Sequence, residues 1–568
     1  MASSAESTPT AQNEHGALQL PAAERMDTET LSPPVDGHGP APGSAKGKRF
    51  WLSFAAIMVA IFLSALDLTA IGTALPTISA SLHDVKGEFE WVGSAYALAS
   101  TAFMPLSGSL ADIFGRKPTM LLAISFFAVG SALAGAAQNM DMMIAARTIQ
   151  GIGGGGIINL AEIITSDLVP LAERGLYQGL LGLMWSFASA VGPPIGGALT
   201  QNGTKAWRWL FFLNLPLTGI AAGLVLVFLT VRTPEGSIKS KLARVDWGGN
   251  FLVVVGTTLA IIGLTWGGIQ YPWGSAHVLA PLIIGIFLLA VFVVYEAKVP
   301  SEPTIPYDVL SNRTTLSGIL ATAAHGISSI AVMYYLPVYF QASFEASPLQ
   351  SVKDFLPSTF VIAPCTLLCG ATVNIVKKYR PINWIGWCFM VVGFGLLSTL
   401  AADSPTAKWA GYQAIVGAGI GIIFVGPIFV VLAPLPVNRA ASALALFAFT
   451  RAFTQTWGIA IAGTILQNQL KRNLPPAFVA QFPAGAQFAY AAIPAIKTLE
   501  EPLRTEVRTA FATSMAVIWK VMIGVAGLGM VFSAFMSEIT LSTAMDENYA
   551  LEHKKAERAD EEKVVDSK

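Results

Sequence analysis

Apolar runs of about 20 residues, the length a helix needs to cross the hydrocarbon core of a bilayer, recur along nearly the whole chain. They cover 51–74, 91–111, 119–137, 142–166, 176–199, 209–231, 247–267, 278–295, 315–340, 355–376, 384–402, 409–432, 440–466 and 511–535. This pattern predicts an all-α membrane protein with fourteen transmembrane helices. Ahead of the first run, the chain is rich in Ala, Pro, Ser and Gly and has no apolar stretch. Residues 1–48 are therefore expected to form a disordered cytosolic tail, with the first span acting as the insertion signal. A charged cytosolic tail is expected over 541–568. Between the last two spans, 467–508 holds prolines and a mixed apolar and charged stretch from Ile496 to Arg508. That segment predicts an extracellular loop with a short interfacial helix.

Weak repetition divides the spans. Gly-Ile-Gly-Gly-Gly-Gly at 151–156 in the fourth has a counterpart in Gly-Ala-Gly-Ile-Gly at 417–421 in the twelfth. The basic loop after Gly115 has a counterpart at Lys377, Lys378 and Arg380. Two six-helix bundles are expected, over 49–231 and 314–540, with two inserted spans and a linker over 232–313. Duplicated halves that hold a substrate site between them are a transporter architecture. The Lys/Arg bias orients the chain. With a cytosolic N-terminus, the inner loops hold Arg116, Lys117, Arg174, Arg232, Lys239, Lys241, Arg244, Lys298, Arg313, Lys377, Lys378, Arg380 and Arg439. The short outer loops hold only Lys86, Lys205, Arg208, Lys353 and Lys408. An even number of spans puts both termini in the cytosol. The sequon at Asn202 then lies outside as a glycosylation candidate, and the one at Asn312 lies inside.

Composition narrows the function. Of 568 residues, 53% are hydrophobic and 12% charged, against about 25% charged in a soluble domain. Net charge is zero, which gives no footprint for nucleic acid. The three cysteines, Cys365, Cys369 and Cys388, lie in or beside apolar runs and imply neither a disulfide framework nor a metal site. The glycine run lacks a Gly-x-x-x-x-Gly-Lys-Ser/Thr phosphate loop. No cofactor and no enzymatic nucleophile–base set are expected.

Several motifs agree with one another. Gly108-Ser-Leu-Ala-Asp112-Ile-Phe-Gly115-Arg116-Lys117-Pro118 combines a turn glycine, a helix-opening proline and a charge cluster. Other motifs are Leu66-Asp67-Leu-Thr69 with Ala74-Leu75-Pro76-Thr-Ile78, Arg147-Thr-Ile-Gln150-Gly151, Gly192-Pro193-Pro194-Ile-Gly196-Gly197, and Trp207-Arg208-Trp209 with Asn214-Leu-Pro216. Together they resemble the major facilitator superfamily over nearly all of 50–540, and within it the 14-span drug:proton antiporter branch of fungal efflux-pump type. The resemblance implies a proton-coupled exporter of small organic compounds (drugs, xenobiotics or fungal secondary metabolites) working by alternating access. It also implies a multi-pass monomer in the plasma membrane, or alternatively in a vacuolar or vesicle membrane. An uptake symporter for a nutrient or metal chelate, and a non-transporting sensor, are the rival readings. Two departures stand out. Ala70-Ile71-Gly72 replaces the usual β-branched pair and Asn. The second copy of the inner-loop motif has Asn374 roughly where an acid would stand.

Charges inside a membrane span are costly, about 3 kcal/mol each near the centre on insertion scales, so each is a candidate. Asp67 and Arg147 fall at similar depth in the outer half and can pair. Such a pair serves either as a structural salt bridge or in proton coupling, with Gln150 one turn away. Arg451, with Gln455 one turn on, is expected to line the cavity. His325 reads as a satisfied polar residue and Lys520 as a snorkelling one. Gly108, Asp112, Gly115, Arg116 and Lys117 form the expected inner gate, with Glu162 and Asp167 pairing to Arg116 or Lys117. Gly192, Pro193, Gly196 and Gly197 are expected to break and bend the fifth span.

Overall fold

The computed structural model describes residues 47–82, 91–201, 205–229, 231, 237–268, 271–300, 303–481 and 492–541. The two expected tails, apart from their innermost residues, and the sequon at Asn202 lie outside the described residues. A long helix covers each predicted run: α1 (Lys48–Ser81), α2 (Trp91–Phe114), α3 (Arg116–Gly135), α4 (Met140–Leu168), α5 (Leu171–Gln201), α6 (Arg208–Phe228), α7 (Trp247–Trp266), α8 (Ala276–Lys298), α9 (Arg313–Ser343), α10 (Pro348–Val376), α11 (Arg380–Leu397), α12 (Thr406–Leu432), α13 (Ala440–Asn473) and α14 (Leu503–Ala534). Among the described residues, eleven helices are long and apolar enough to cross a membrane. Those outside that set are α4, α5 and α13. In α4 every residue from Asn159 to Leu168 is buried. A helix surrounded by other helices needs less lipid-compatible surface than one facing the bilayer.

Turn chemistry sets the boundaries. Gly115 sits at φ 97°, a conformation costly for any other residue, and so separates α2 from α3. α6 is interrupted at Leu213. Pro216 lacks the amide that would bond the Phe212 carbonyl, which accounts for the break. Gly192–Pro193, by contrast, does not break α5: the helix runs unbroken to Gln201, correcting the expected interruption. Neighbouring helices can support a proline inside a membrane helix. Here Gly192 lies against α1, and a Cβ on it would stand 2.2 Å from Thr69 Oγ1.

The expected loop over 467–508 is also shorter. α13 continues to Asn473, with Lys471 and Arg472 in its last turn, where cations suit the helix dipole. α14 begins at Leu503, so part of the expected interfacial helix forms its first turns. Arg504 there is ion-paired to Glu345, and Arg508 Nε lies 3.5 Å from the same carboxylate. Among the described residues of the intervening segment, two short helices form, Pro476–Val479 and Ile493–Ile496.

Packing follows the repeat. α1–α6 pack among themselves, as do α9–α14, and the halves meet chiefly through α5 on α10 and α13 on α2 and α4. The second helix of each half thus lies on the fifth helix of the other. α7 and α8 form an inserted hairpin packed against α2 and α13. The glycine run brings α4 close to its neighbours: a Cβ at Gly151 would stand 2.4 Å from Tyr96 O on α2, and one at Gly153 would stand 2.4 Å from Phe127 N on α3.

Candidate functional site

A buried polar cluster forms where α1, α2, α3, α4 and α6 converge. Arg147 is fully buried and Asp67 is 6% exposed. Arg147 Nη1 donates to Asp67 Oδ2 at 2.6 Å and to Gln150 Oε1 at 2.5 Å. Asp67 Oδ1 accepts from Gln150 Nε2 at 2.9 Å and from Asn214 Nδ2 at 2.7 Å. Gln150 Nε2 also donates to Ser131 Oγ at 2.9 Å. Arg147 is held from the other side by Val92 O, which accepts from its Nε at 2.8 Å, and by the face of Tyr96, 4.4 Å away. Its Nη2 is buried without a partner. A cavity of about 10 Å³, lined by Leu66, Asp67, Ala70, Ile195, Phe211 and Asn214 among others, opens onto the carboxylate. It has room for about one water. Neutralising Asp67 would release one tie on Arg147 while leaving the amides in place.

At the other end of the bundle, Arg116 is buried between two acids. Its Nη1 donates to Asp112 Oδ1 at 2.8 Å, and its Nε donates to Asp167 Oδ2 at 2.8 Å. Ser442 on α13 donates to Asp112 Oδ2 at 3.3 Å, so the inner-loop motif touches the second half directly. Lys117 does not join this cluster: its Nζ donates to Leu226 O at the end of α6, at 2.7 Å. Arg174 donates to Ser166 O at 2.7 Å and so ties the start of α5 to the end of α4. Gly108 lies opposite Ala445 of α13, where a Cβ would stand 2.6 Å from that methyl.

The expected partners of Glu162 are also corrected. Its Oε1 lies 3.5 Å from Arg451 Nη1 across the junction of the halves, rather than beside Arg116 or Lys117. Helix spacing explains the change. Five residues separate Glu162 from Asp167, which is not a whole number of turns, so the two acids leave α4 in different directions. Arg451 also donates to Phe424 O at 2.9 Å, and its guanidinium is stacked 4.1 Å from the Phe424 ring and 4.4 Å from the Phe447 ring. Glu162 Oε2 and Arg451 Nε are buried without partners. Gln455 is half-buried one turn beyond Arg451. His325 is buried, with Nε2 3.2 Å from Ile420 O. Lys520 is exposed.

Of the α5 glycines, Gly192 and Gly196 are buried, whereas Gly197 has no atom within 4 Å of a Cβ position. Asn312 caps α9, its Oδ1 accepting from Thr314 N at 2.9 Å. Asn374, where the second inner-loop copy lacks an acid, accepts from Lys377 Nζ at 2.9 Å. The carboxylate at that turn comes instead from Glu538 beyond α14, which accepts from Tyr379 N at 3.0 Å and Arg380 N at 3.3 Å. The sequence reading did not single out Asn214, Ser131, Tyr96 or Ser442 as site residues. Asn214 had a signal, an amide inside an apolar run beside Pro216.

The profile of the Major Facilitator Superfamily matches residues 57–459. Efflux pump FUS6 of Gibberella fujikuroi is 36% identical over 520 residues, covering 90% of this chain and 93% of that protein. MFS-type efflux pump MMF1 of Pseudozyma antarctica is 35% identical over 523 residues, covering 91% and 96%. Among solved structures, the proton:xylose symporter XylE bound to 6-bromo-6-deoxy-D-glucose superposes with a TM-score of 0.54 at 14% identity, covering 87% of this chain and 98% of that one. The human organic anion transporter MFSD10 gives 0.52 at 14% identity, covering 85% and 100%. At that identity the two structures speak for the fold alone.

Proposed function

This chain belongs to the Major Facilitator Superfamily, and from that premise we propose that it is a proton-coupled exporter of small organic compounds. The cargo class is xenobiotics or fungal secondary metabolites, and the mechanism is alternating access. The protein is a multi-pass membrane protein; in this reading it has fourteen spans, both termini in the cytosol, and works as a monomer in the plasma membrane. The efflux pumps it resembles along nearly their whole length support the direction of transport.

The observation that carries the proton-coupled reading is the buried Asp67–Arg147 pair with its amide ring. A charge pair this deep is retained at a cost. Asp67 also lines a cavity with room for about one water. Protonation from outside removes the ion pair and leaves Arg147 on Val92 O and Gln150. Movement of α1 against α4 then opens the route by which cargo leaves. At the opposite end, Asp112 with Ser442 and Glu162 with Arg451 hold the halves together. In this reading the arrangement corresponds to the inner-closed member of the two states.

Transport by purified protein in vesicles, with and without an imposed pH gradient, tests this. Asp67→Asn keeps an oxygen for Arg147 but accepts no proton. It should abolish gradient-driven export while cargo still binds. Full gradient-driven export by Asp67→Asn would reduce Asp67 to a structural residue.

A further inference from the structure

The inserted hairpin carries a second buried acidic site that the reading above leaves unused. Asp246 caps the N-terminus of α7, its Oδ1 accepting from Gly249 N at 2.9 Å and from the Tyr295 hydroxyl at 3.3 Å. Glu296, in the last turn of α8, accepts from Ile305 N at 3.3 Å through Oε2. Asp246 is 8% exposed and Glu296 6%. The second oxygen of each, Asp246 Oδ2 and Glu296 Oε1, is buried without a hydrogen-bond partner. Both aim at one point: a Cβ on Gly249 would stand 2.1 Å from Asp246 Oδ2 and 2.4 Å from Glu296 Oε1. Asn250 fastens the site to the following segment, its Nδ2 donating to Asp246 O at 2.7 Å and to Thr304 Oγ1 at 2.9 Å. Its own Oδ1 is likewise buried and unpartnered.

Two ionised carboxylates offer only acceptors. Facing each other away from water, they repel and leave both oxygens unsatisfied. A single proton turns the same geometry into a charge-assisted O–H···O bond, which satisfies both. A metal ion would call for further ligands, and among the described residues no group of three His, Cys, Asp or Glu forms one. We propose that Asp246 and Glu296 share one proton, making the inserted hairpin a proton-binding site separate from Asp67.

The site lies at the same end of the bundle as Arg116. α6 ends there, beside Lys117, and the short helix Ile238–Arg244, which leads into α7, touches α2. Among the described residues, Tyr295 also faces the pair, through its hydroxyl on Asp246. Cations on adjoining segments are Lys241, Arg244 and Lys298. On the helices packed against α7, the charges at this end are Asp112 of α2, bonded to Arg116, and Arg439 ahead of α13. α2 and α13 are also the helices that carry the Asp112–Ser442 contact. Loss of the shared proton puts two negative charges at the joint that supports that contact, so pH on this side tunes it.

The full chain in detergent allows the test, by infrared spectroscopy and by proton counting. The wild type should show a protonated-carboxyl band that is lost or shifted in Asp246→Asn and in Glu296→Gln. An alkaline pH jump should release about one proton fewer per molecule from each variant. The folded pair holds a proton that the unfolded chain gives up, so wild-type thermal stability should fall as pH rises above the unfolded carboxyl range of about 4. Glu296→Gln should flatten that fall. If these variants fold poorly, Tyr295→Phe, which removes one hydroxyl bond to Asp246, should shift the same band. Identical spectra and proton counts in all variants overturn the proposal. So does a wild-type stability that drops on adding a chelator at fixed pH, which would point to a metal cation.

Discussion

Replacing Gly175 or Gly370 with alanine should open the inner contact between the halves, by an amount the packing allows to be worked out. A Cβ on Gly175 would stand 2.5 Å from Gly370 Cα and 2.7 Å from Phe429 Cζ, and one on Gly370 would stand 2.2 Å from the Gly175 carbonyl carbon. Backbone cannot rotate aside as a side chain can. Restoring an ordinary carbon–carbon separation of about 3.5 Å therefore needs α5 and α10 to part by about 1 Å. Overpacking of this kind costs about 1–3 kcal/mol. If the cost falls only on the inner-closed state, it shifts the balance of states about 5- to 140-fold. A cysteine at Ser442, in a chain with Cys365, Cys369 and Cys388 replaced by serine, reports the change through its rate of labelling by an impermeant thiol reagent applied from the cytosolic side. Gly175→Ala and Gly370→Ala should each raise that rate at least about 5-fold, in line with the lower bound of the shift. Gly182→Ala on the same helix, where a Cβ meets nothing within 4 Å, should leave it unchanged. Unchanged labelling in both test variants, with normal abundance, would refute the argument that this contact sets the state.

Two further outcomes separate gate from scaffold. Asp112→Asn, at a side chain 30% exposed, should weaken transport with little loss of protein. Arg116→Ala strands the buried Asp167 and should cost about 3–5 kcal/mol in stability; melting curves and transport assays on both variants distinguish the cases, and equal stability would mean Asp167 has another partner. Asn312, whose side chain is occupied in capping α9, should carry no glycan, so Asn312→Gln should leave the glycosidase-sensitive mobility unchanged; a glycan found there would overturn the orientation.

Hydropathy revealed the helices because lipid-facing surface must be apolar. It misjudged their ends where charges are paired rather than solvated, as with Arg504 and Arg508 on Glu345 at the start of α14. Asp67 and Arg147 were legible as partners because charges inside spans are few and their depths agree. Arg451 was legible as a candidate, but not its bond to Glu162, because pairing across the halves depends on how two bundles dock and not on spacing along either helix. Ser131 stayed hidden because neutral polar residues are common in membrane helices, and Asn214, though it stands in a motif, did not reveal its bond to Asp67, which depends on helix rotation. Gly192–Pro193 misled because the sequence shows a missing amide but not the Thr69 contact of α5 on α1.

One helix connects the two charge sites. Arg147 and Gln150 lie near the start of α4, and Glu162 and Asp167 near its end. All four are buried, and each holds a different neighbour: Asp67 on α1, Ser131 on α3, Arg451 on α13 and Arg116 on α3. Fifteen residues of helix separate Arg147 from Glu162, about 22 Å at 1.5 Å per residue. A packed helix moves as a unit over that length, because its neighbours leave no room to bend it locally. Protonation of Asp67 would free the start of α4 and thereby change the 3.5 Å separation of Glu162 and Arg451 at the junction of the halves. A double-mutant cycle on Asp67→Asn and Glu162→Gln measures this link, with gradient-driven exchange as the readout. The two sites lie too far apart for direct interaction, so independent effects would add to within about 0.3–0.5 kcal/mol. Transmission through α4 should instead give a coupling of at least about 1 kcal/mol, a roughly 5-fold departure from multiplicative rates. Additive effects, with both single variants folded and active enough to measure, would remove α4 as the connection and leave the two charge sites as separate devices.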